Sequence, residues 1–237
     1  MDIYPSILSK SAIGITGYIG GNLKNFSHFQ IDIVDGVFVK GETVSLKELA
    51  EHLQKNPPRV PPNNTFEFHL MVEDFEVVMP HIDEISTHLP VAKILIHLQP
   101  ALRWTKGDHE PLHEILHDRF PFAFGLAINP EVEVLSHYET LKGFETIQIM
   151  TVKPGKQGQK LHANSLKKIG QLRRHGYEGR IVLDGAMNAK TLTKVVKQKH
   201  WPDAVCPGSY LKTSTKERLE KLQKIVIKAQ DKRFASS

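Results

Sequence analysis

Short apolar runs recur along the whole chain, and most are separated by segments in which apolar residues return every three or four positions. Runs of this length, rich in β-branched residues or bounded by turn residues, are typical of buried β-strands. Eight runs are predicted to be strands: residues 3–7, 29–34, 65–72, 93–98, 123–128, 146–152, 180–184 and 204–206. The stretches 9–27 and 99–112 have no clear pattern, and 56–64, with four prolines, is predicted to be a loop.

Helical periodicity appears between several of these runs. Three segments place apolar residues on one helical face: Leu46, Leu49, Ala50 and Leu53; Leu166, Ile169 and Leu172; and Leu192, Val195 and Val196. Capping residues mark three predicted helix starts: Ser45 with Glu48, Ser214 with Glu217, and Asn129 before Pro130. The basic stretch 212–232 carries an apolar stripe of Leu219, Leu222, Ile225 and Ile227. It is predicted to form an amphipathic, solvated helix rather than a nucleic-acid-binding arm.

The order of these elements predicts the fold class. Strands that alternate with helices favour parallel pairing through right-handed crossovers. Eight such units indicate an α/β fold in which the strands close into a (β/α)8 TIM barrel, and the 237 residues suit a single domain spanning 1–237. An open, doubly wound sheet is the alternative, because alternation alone is compatible with both architectures.

Composition narrows the class of protein. Hydrophobic residues make up 40% of the chain and charged residues 24%, as in soluble globular proteins. The one cysteine, Cys206, excludes an intrachain disulfide framework and fits a reducing cytosol. We expect neither a signal peptide nor a membrane span, since the first ten residues lack a basic start with an apolar core and no apolar run approaches about 20 residues. The net charge of +5 indicates either attraction of anionic substrates or a generally basic surface.

Candidate chemistry lies where the predicted strands end, because barrel enzymes place their active sites at the C-terminal ends of the strands. Gln30 and Asp32 share one face of the second strand, since residues two apart point the same way. Asp32 lies between two isoleucines, where a carboxylate costs free energy unless it is paired or metal-bound. His69 is near the end of the third strand, and Asp184 ends the seventh.

Each of these residues also has a simpler explanation. A lone His69 is more often a satisfied core histidine, and Asp184 before a glycine fits a turn. The coincidence of two carboxylates and an imidazole at three strand ends instead favours a divalent metal such as zinc, iron, manganese or cobalt.

Glycines after the last strands indicate an anion site. Gly155 and Gly158 follow the sixth strand, where glycine lets backbone N–H groups approach an anion, although glycine with proline alone indicates only a turn. Gly185 follows the seventh strand, and Gly208 and Ser209 follow the eighth. The loops at these two positions often bind phosphate in barrels.

With these motifs the sequence resembles the ribulose-phosphate 3-epimerase family. The matching segments are Pro5-Ser6-Ile7-Leu8-Ser9, Asp32-Ile33-Val34-Asp35-Gly36, His69-Leu70-Met71-Val72, Asn129-Pro130, Met150-Thr151-Val152-Lys153-Pro154-Gly155, Asp184-Gly185 and Gly208-Ser209. They occur in the family's order over nearly the whole chain. Each segment is moderately specific, and the set is quite specific.

The resemblance implies interconversion of D-ribulose 5-phosphate and D-xylulose 5-phosphate, a step of carbohydrate metabolism in the pentose phosphate pathway. It assigns Asp32 as the group that removes a proton and Asp184 as the group that returns one to the opposite face of an enediolate. In the family both aspartates also bind the metal together with two histidines. His69 matches one of these histidines, and Gln30 stands in place of the other, so we expect Gln30 to be a weak fourth ligand or none.

The resemblance also implies the substrate contacts. They are expected from Ser6, His69, Met71, Met150, Gly155, Gly158, Gly185, Ala186, Gly208 and Ser209. Besides Gln30, the sequence departs from the family pattern near these contacts. Ala186 replaces the second glycine of a pair, and the loop Gly155-Lys156-Gln157-Gly158 lacks the family's paired glycines.

Three functions are compatible with these residues. The first is an active epimerase, the second a non-catalytic or weakly active sugar-phosphate-binding relative, favoured by Gln30, and the third a barrel isomerase or lyase that acts on another phosphosugar. We expect a cytoplasmic homo-oligomer whose partner is a small phosphorylated sugar, with no binding to nucleic acid or membrane.

Overall fold

The computed structural model of the protein describes residues 1–105 and 110–235. Within these two segments it contains nine β-strands: β1 (Asp2–Ile3), β2 (Ser6–Leu8), β3 (His28–Val34), β4 (Thr65–Met71), β5 (Val91–His97), β6 (Phe124–Ile128), β7 (Thr146–Met150), β8 (Arg180–Asp184) and β9 (Ala204–Cys206). Neighbouring strands are parallel and follow the order β1-β9-β8-β7-β6-β5-β4-β3-β2.

The two ends of this order are consecutive pieces of one extended segment, so the sheet closes into a barrel. Only Tyr4 and Pro5 separate β1, which pairs with β9, from β2, which pairs with β3. The Tyr4 N–H donates to Val205 O at 3.3 Å, and the Gln30 N–H donates to Pro5 O at 2.9 Å. Pro5 has no N–H to donate, which explains the break in the ladder. The predicted α/β barrel is therefore confirmed, with its first strand in two pieces.

Helices follow the strands on the outside of the barrel. The described segments contain α1 (Ala12–Asn22), α2 (Leu46–Lys55), α3 (Met79–Ser86), α4 (Leu98–Trp104), α5 (Leu112–Arg119), α6 (Tyr138–Leu141), α7 (Lys167–Arg174), α8 (Ala189–Val195) and α9 (Thr215–Phe234). The three predicted apolar faces lie on α2, on α7 with the 3-10 turn before it, and on α8 with its C-cap. The Ser45–Glu48 capping box is confirmed, because each side chain accepts a hydrogen bond from the other residue's backbone N–H.

Of the other two predicted helix starts, the one at Ser214 is confirmed but its capping box is not, and the one at Asn129 is wrong. Ser214 precedes α9 but has a left-handed backbone with φ of 50°, and its side chain makes no capping hydrogen bond. An N-cap residue needs extended backbone for its side chain to reach the first turn, so no capping box with Glu217 forms. Asn129 and Pro130 open a turn, closed by the Val132 N–H donating to Asn129 O at 3.1 Å, and α6 begins only at Tyr138.

Segments without a clear pattern are partly helical. The stretch 9–27 contains α1, and 99–112 overlaps α4 and the start of α5, while residues 106–109 of it lie outside the described residues. The stretch 56–64 is the predicted loop.

The C-terminal helix α9 is amphipathic, as predicted. Leu219, Leu222 and Val226 are buried, whereas Ile227 is 56% exposed and does not belong to the apolar face. Val226 completes the face because a spacing of three and then four residues stays on one side of a helix. Over residues 1–105 and 110–235, no helix has both the length and the apolar character needed to cross a membrane.

The two faces of the strands differ in chemistry. Phe29, Ile31, Phe66 and Phe68 belong to the large apolar core that the strands share with the helices. The alternate positions of β3 and β4 therefore face the barrel interior, which contains buried polar side chains. These are Ser6, Gln30, Asp32, Glu67, His69, His97, Gln148 and Asp184. The interior is consequently polar along much of its length, and this is where the site lies.

Candidate active site

Three buried side chains converge near the C-terminal ends of the barrel strands. Asp32 comes from β3, His69 from β4 and Asp184 from β8, and Asp32 and His69 are directly opposite each other in the strand register. Their exposed fractions are 3%, 0% and 5%, and one ligand atom from each lies within 4.8 Å of the others. The structure thus brings together the three residues that the sequence places at strand ends.

His69 lies between the two carboxylates and a second histidine. Its Nδ1 is 3.2 Å from Asp32 Oδ1 and 3.4 Å from Asp184 Oδ2. On the other side of the ring, Nε2 is 2.9 Å from His97 Nε2. One nitrogen of this pair must donate and the other accept, so the protonation of the two rings is linked.

Gln30 occupies the middle of this group. Its Nε2 donates to Asp32 Oδ1 at 2.7 Å and to Asp184 Oδ2 at 3.0 Å, and it lies 3.3 Å from His69 Nδ1. Its Oε1 is buried without a hydrogen-bond partner. A neutral amide nitrogen therefore stands among the same oxygen and nitrogen atoms that a cation would contact.

Burial and the shared charges set the protonation of the site. Burial lowers the pKa of His69, but hydrogen bonds to the Asp184 and Asp32 carboxylates outweigh it and raise the pKa from 6.5 to about 9. Burial raises the pKa of Asp184, and the nearby charge of Asp32 adds to the rise against the opposing effect of His69. Burial and the charge of His69 lower the pKa of His97 well below its ordinary value. Protonated His69 therefore donates to neutral His97.

The donor set fits a divalent metal ion. Two carboxylates and an imidazole are ligands that zinc, iron, manganese and cobalt accept. Whether a fourth ligand joins these three depends on the orientation of the Gln30 carboxamide. The unpartnered Oε1 means that a half-turn of the amide would exchange a nitrogen facing the carboxylates for an oxygen able to bind a cation.

A narrow pocket of about 40 Å³ lies above this group. Ser6, Met71, Met150, Gly155, Gly158, Gly185, Ala186, Gly208 and Ser209 all contribute to its wall, together with Asp32 and Asp184. His69 and Gln30 are not part of that wall. Ser6 Oγ donates to Asp32 Oδ2 at 3.0 Å, so its hydroxyl supports the carboxylate directly.

The loop after β8 shows why glycine matters there. Gly185 has φ of 99°, and a Cβ at this position would overlap the side chain of Val152. Ala186 is also left-handed, with φ of 52°, a conformation that costs an alanine roughly 1–2 kcal/mol. Ala186 thus adopts, at this cost, a left-handed conformation in which glycine would be unstrained.

Three polar residues of the site escaped sequence reasoning. Gln148 Nε2 donates to Asp184 Oδ2 at 3.2 Å, His97 contacts His69, and the Gln157 side chain lines the pocket. Gln148 shares a strand face with Met150, and His97 ends β5, so the rules that found Asp32 and His69 applied to both. Gln157 lies in a loop, where no periodicity indicates the direction of a side chain.

The sequence matches one protein family over most of its length. A model of the Ribulose-phosphate 3 epimerase family matches residues 2–211. The ribulose-phosphate 3-epimerase of Schizosaccharomyces pombe is 23% identical over 233 residues, covering 97% of this chain and 95% of that protein. The enzyme of the same name from Helicobacter pylori is 26% identical over 223 residues, covering 92% of this chain and 94% of that protein. The ribulose-phosphate 3-epimerase of Methanocaldococcus jannaschii is 24% identical over 213 residues, covering 87% of this chain and 82% of that protein.

Solved structures share the fold at much lower identity. The 3-keto-L-gulonate-6-phosphate decarboxylase of Vibrio cholerae has a TM-score of 0.64 at 8% identity and covers 96% of this chain and 97% of its own. The 3-hexulose-6-phosphate synthase of Salmonella typhimurium has a TM-score of 0.59 at 9% identity, and the match covers 97% of this chain and 100% of the synthase chain. These likenesses concern the barrel alone. The family match from residue 2 to 211 goes further: this chain belongs to the ribulose-phosphate 3-epimerase family, a family of isomerases.

Proposed function

We propose that the protein is a ribulose-phosphate 3-epimerase that interconverts D-ribulose 5-phosphate and D-xylulose 5-phosphate. The observation that carries the proposal is the pair of buried carboxylates, Asp32 on β3 and Asp184 on β8, which reach one pocket from non-adjacent strands. Inversion at a carbon needs two acid–base groups, because a single base tends to restore the starting configuration.

The two carboxylates have different surroundings, which suits different roles. Asp32, held by the Ser6 hydroxyl, would take the proton from the carbon beside the ketone. Asp184, with its raised pKa, can hold a proton and would deliver it to the opposite face. Gln148 donates to Asp184 and would keep that carboxyl group aimed at the pocket.

A divalent ion held by Asp32, His69 and Asp184 would stabilise the negative charge that develops on the substrate oxygens. Gln30 would turn its Oε1 toward the ion as a weak ligand or withdraw. His97 would then accept from the remaining N–H of His69 and fix the orientation of the ring.

The phosphate would lie among Gly158, Gly185, Gly208 and Ser209, with Gly155 and Ala186 shaping the loops around it. Glycine backbone at positive φ, as at Gly158 and Gly185, lets N–H groups point at an anion. A cytoplasmic homo-oligomer acting on a small phosphosugar in the pentose phosphate pathway belongs to the same proposal.

A coupled assay that detects D-xylulose 5-phosphate tests this function. Protein treated with a chelator should be inactive, and zinc, iron, manganese or cobalt should restore turnover. Full activity without metal would refute the metal's role. The Gln30 amide among the ligand atoms favours a second candidate, a non-catalytic sugar-phosphate-binding relative. Metal-loaded protein that binds D-ribulose 5-phosphate without converting it would establish that alternative.

A further inference from the structure

The Gln157 side chain enters the pocket at the position where the phosphate is expected. A Cβ built on Gly208 would overlap Gln157 Nε2 and would lie 2.7 Å from Ser6 Oγ. The Gln157 amide therefore packs directly on the Gly208 backbone, beside the hydroxyl that supports Asp32. A phosphate oxygen that approaches the N–H groups at Gly208 and Ser209 would need the same space.

The pocket that Gln157 lines is small. Its volume of about 40 Å³ holds about three water molecules, since each needs roughly 10–15 Å³ of such space. A pentose phosphate is far larger than that. The ligand can enter only if part of the wall moves, and the wall includes Gln157 itself.

No described residue forms a hydrogen bond with the Gln157 amide. Its Nε2 and Oε1 are both buried without a hydrogen-bond partner. A buried amide that makes no hydrogen bond is costly, so moving it out to water recovers hydration. Gln159, two residues later, instead donates to Lys153 O and Lys156 O at 2.6 and 2.7 Å and stabilises the shape of the loop.

The loop that carries Gln157 is supported from the opposite side of the site. Gly155 and Gly41 approach so closely that a Cβ on Gly41 would lie 2.8 Å from Gly155 O. The Gly155 N–H also points at Met71 Sδ, 3.2 Å away. These contacts fix the loop backbone, so the side chain of Gln157 is the part that can leave the pocket at least cost.

We infer that the Gln157 carboxamide occupies the space that the phosphate of a bound ligand needs and must be displaced by a phosphorylated ligand. The inference rests on the proposed function for its choice of ligand. Only molecules in which the amide has already left the pocket can bind phosphate. The apparent affinity for phosphate is therefore the intrinsic affinity multiplied by the fraction of such molecules.

Shortening the side chain tests the inference. Gln157→Ala removes the amide, and Gln157→Asn keeps the amide but draws it back by one methylene group. Both variants should bind inorganic phosphate and D-ribulose 5-phosphate roughly 3- to 10-fold more tightly than the wild type by calorimetry. Gln54→Ala, at an exposed glutamine of α2, is the matched control and should bind as the wild type does. In the wild type, phosphate should also shift the side-chain amide resonances of Gln157.

Weaker binding by Gln157→Ala and Gln157→Asn would show that the amide is a phosphate ligand and would overturn the inference. Unchanged affinity, or unchanged Gln157 resonances on addition of phosphate, would overturn it as well. The two proposals fail separately. Tighter phosphate binding by the variants without epimerase activity in any of the proteins would refute the proposed function alone. Normal epimerase activity with unchanged affinities would refute the role of Gln157 alone.

Discussion

The two ends of the barrel interior both contain buried charged groups, but they balance them differently. At the N-terminal end, Oε2 of the buried Glu67 lies 3.1 Å from His28 Nε2, and the more exposed Arg180 pairs with Asp2 nearby. Burial lowers the pKa of Lys93 there, and the charge of Glu67 opposes that effect. At the C-terminal end, Asp32 and Asp184 share His69 and the neutral amide of Gln30. Among the described residues, neither carboxylate has a lysine or arginine as a hydrogen-bond partner.

We interpret the arrangement at the N-terminal end as structural and the one at the C-terminal end as functional. At the N-terminal end the Lys93 ammonium and the Glu67 carboxylate carry opposite charges, which partly offset the cost of burying them. At the C-terminal end, His69 is the one ionisable group among the described residues that lies within 4 Å of both carboxylates, and the three residues form a donor set that would suit a cation. A buried carboxyl group with a raised pKa, such as Asp184, next to a second carboxylate and a pocket is typical of catalytic centres.

The largest effect should come from Asp184→Asn. An amide cannot transfer the proton, so kcat should fall by about 10³-fold, within the range of general acid–base catalysis. A coupled epimerase assay on metal-loaded protein measures this, with Asp83→Asn on the exposed side of α3 as a fully active control. Retention of a tenth of the activity would remove Asp184 from the chemistry.

The next largest effect is expected from Gln30→His. An imidazole on the same strand face as Asp32 would replace a weak amide ligand by one that transition metals prefer. Metal affinity should rise about tenfold or more, with a gain in kcat/KM, measured by competition with a chelator and by the coupled assay. A variant that gains neither would show that Gln30 is adapted to its position.

The protonation of His69 should make the metal-free protein sensitive to pH. Its pKa in the folded protein, about 9, is above the ordinary value of 6.5, so protonated His69 stabilises the fold. This contribution is complete below pH 6.5 and is lost as the pH rises through about 9. The free energy of unfolding should therefore decrease over that window, and His69→Gln should lack this decrease. A wild-type curve that is flat over the same window would contradict the assigned protonation.

The smallest effect on turnover is expected from Glu67→Gln at the N-terminal end. Removing one partner of the Glu67–His28 pair should destabilise the fold by about 1–3 kcal/mol. Turnover should stay unchanged, because Glu67 lies away from the pocket. Chemical denaturation and the coupled assay on this variant and on Glu51→Gln, an exposed control, separate the two effects. A large loss of turnover with intact stability would mean that the two ends of the barrel are not distinct.

The converging residues at the C-terminal end of the barrel could be predicted from the sequence, whereas the charged groups at the N-terminal end were not. Strand alternation fixes which residues share a face, so Asp32, His69 and Asp184 could be placed together from their positions alone. Helix ends were less predictable, because Asn129-Pro130 is as good a turn signal as a capping signal. The direction of the Gln30 amide depends on three surrounding side chains from different strands, which no local pattern contains.

The fate of the hydrogen on C3 of D-ribulose 5-phosphate tests the central claim most directly. Metal-loaded protein should be incubated with this substrate in deuterated water and the products followed by NMR. We predict D-xylulose 5-phosphate with deuterium at C3, because inversion requires removal of the original hydrogen and return of one from a second group. Exchange at C1 without exchange at C3, or no exchange with metal bound, would contradict the assignment of this site as a 3-epimerase.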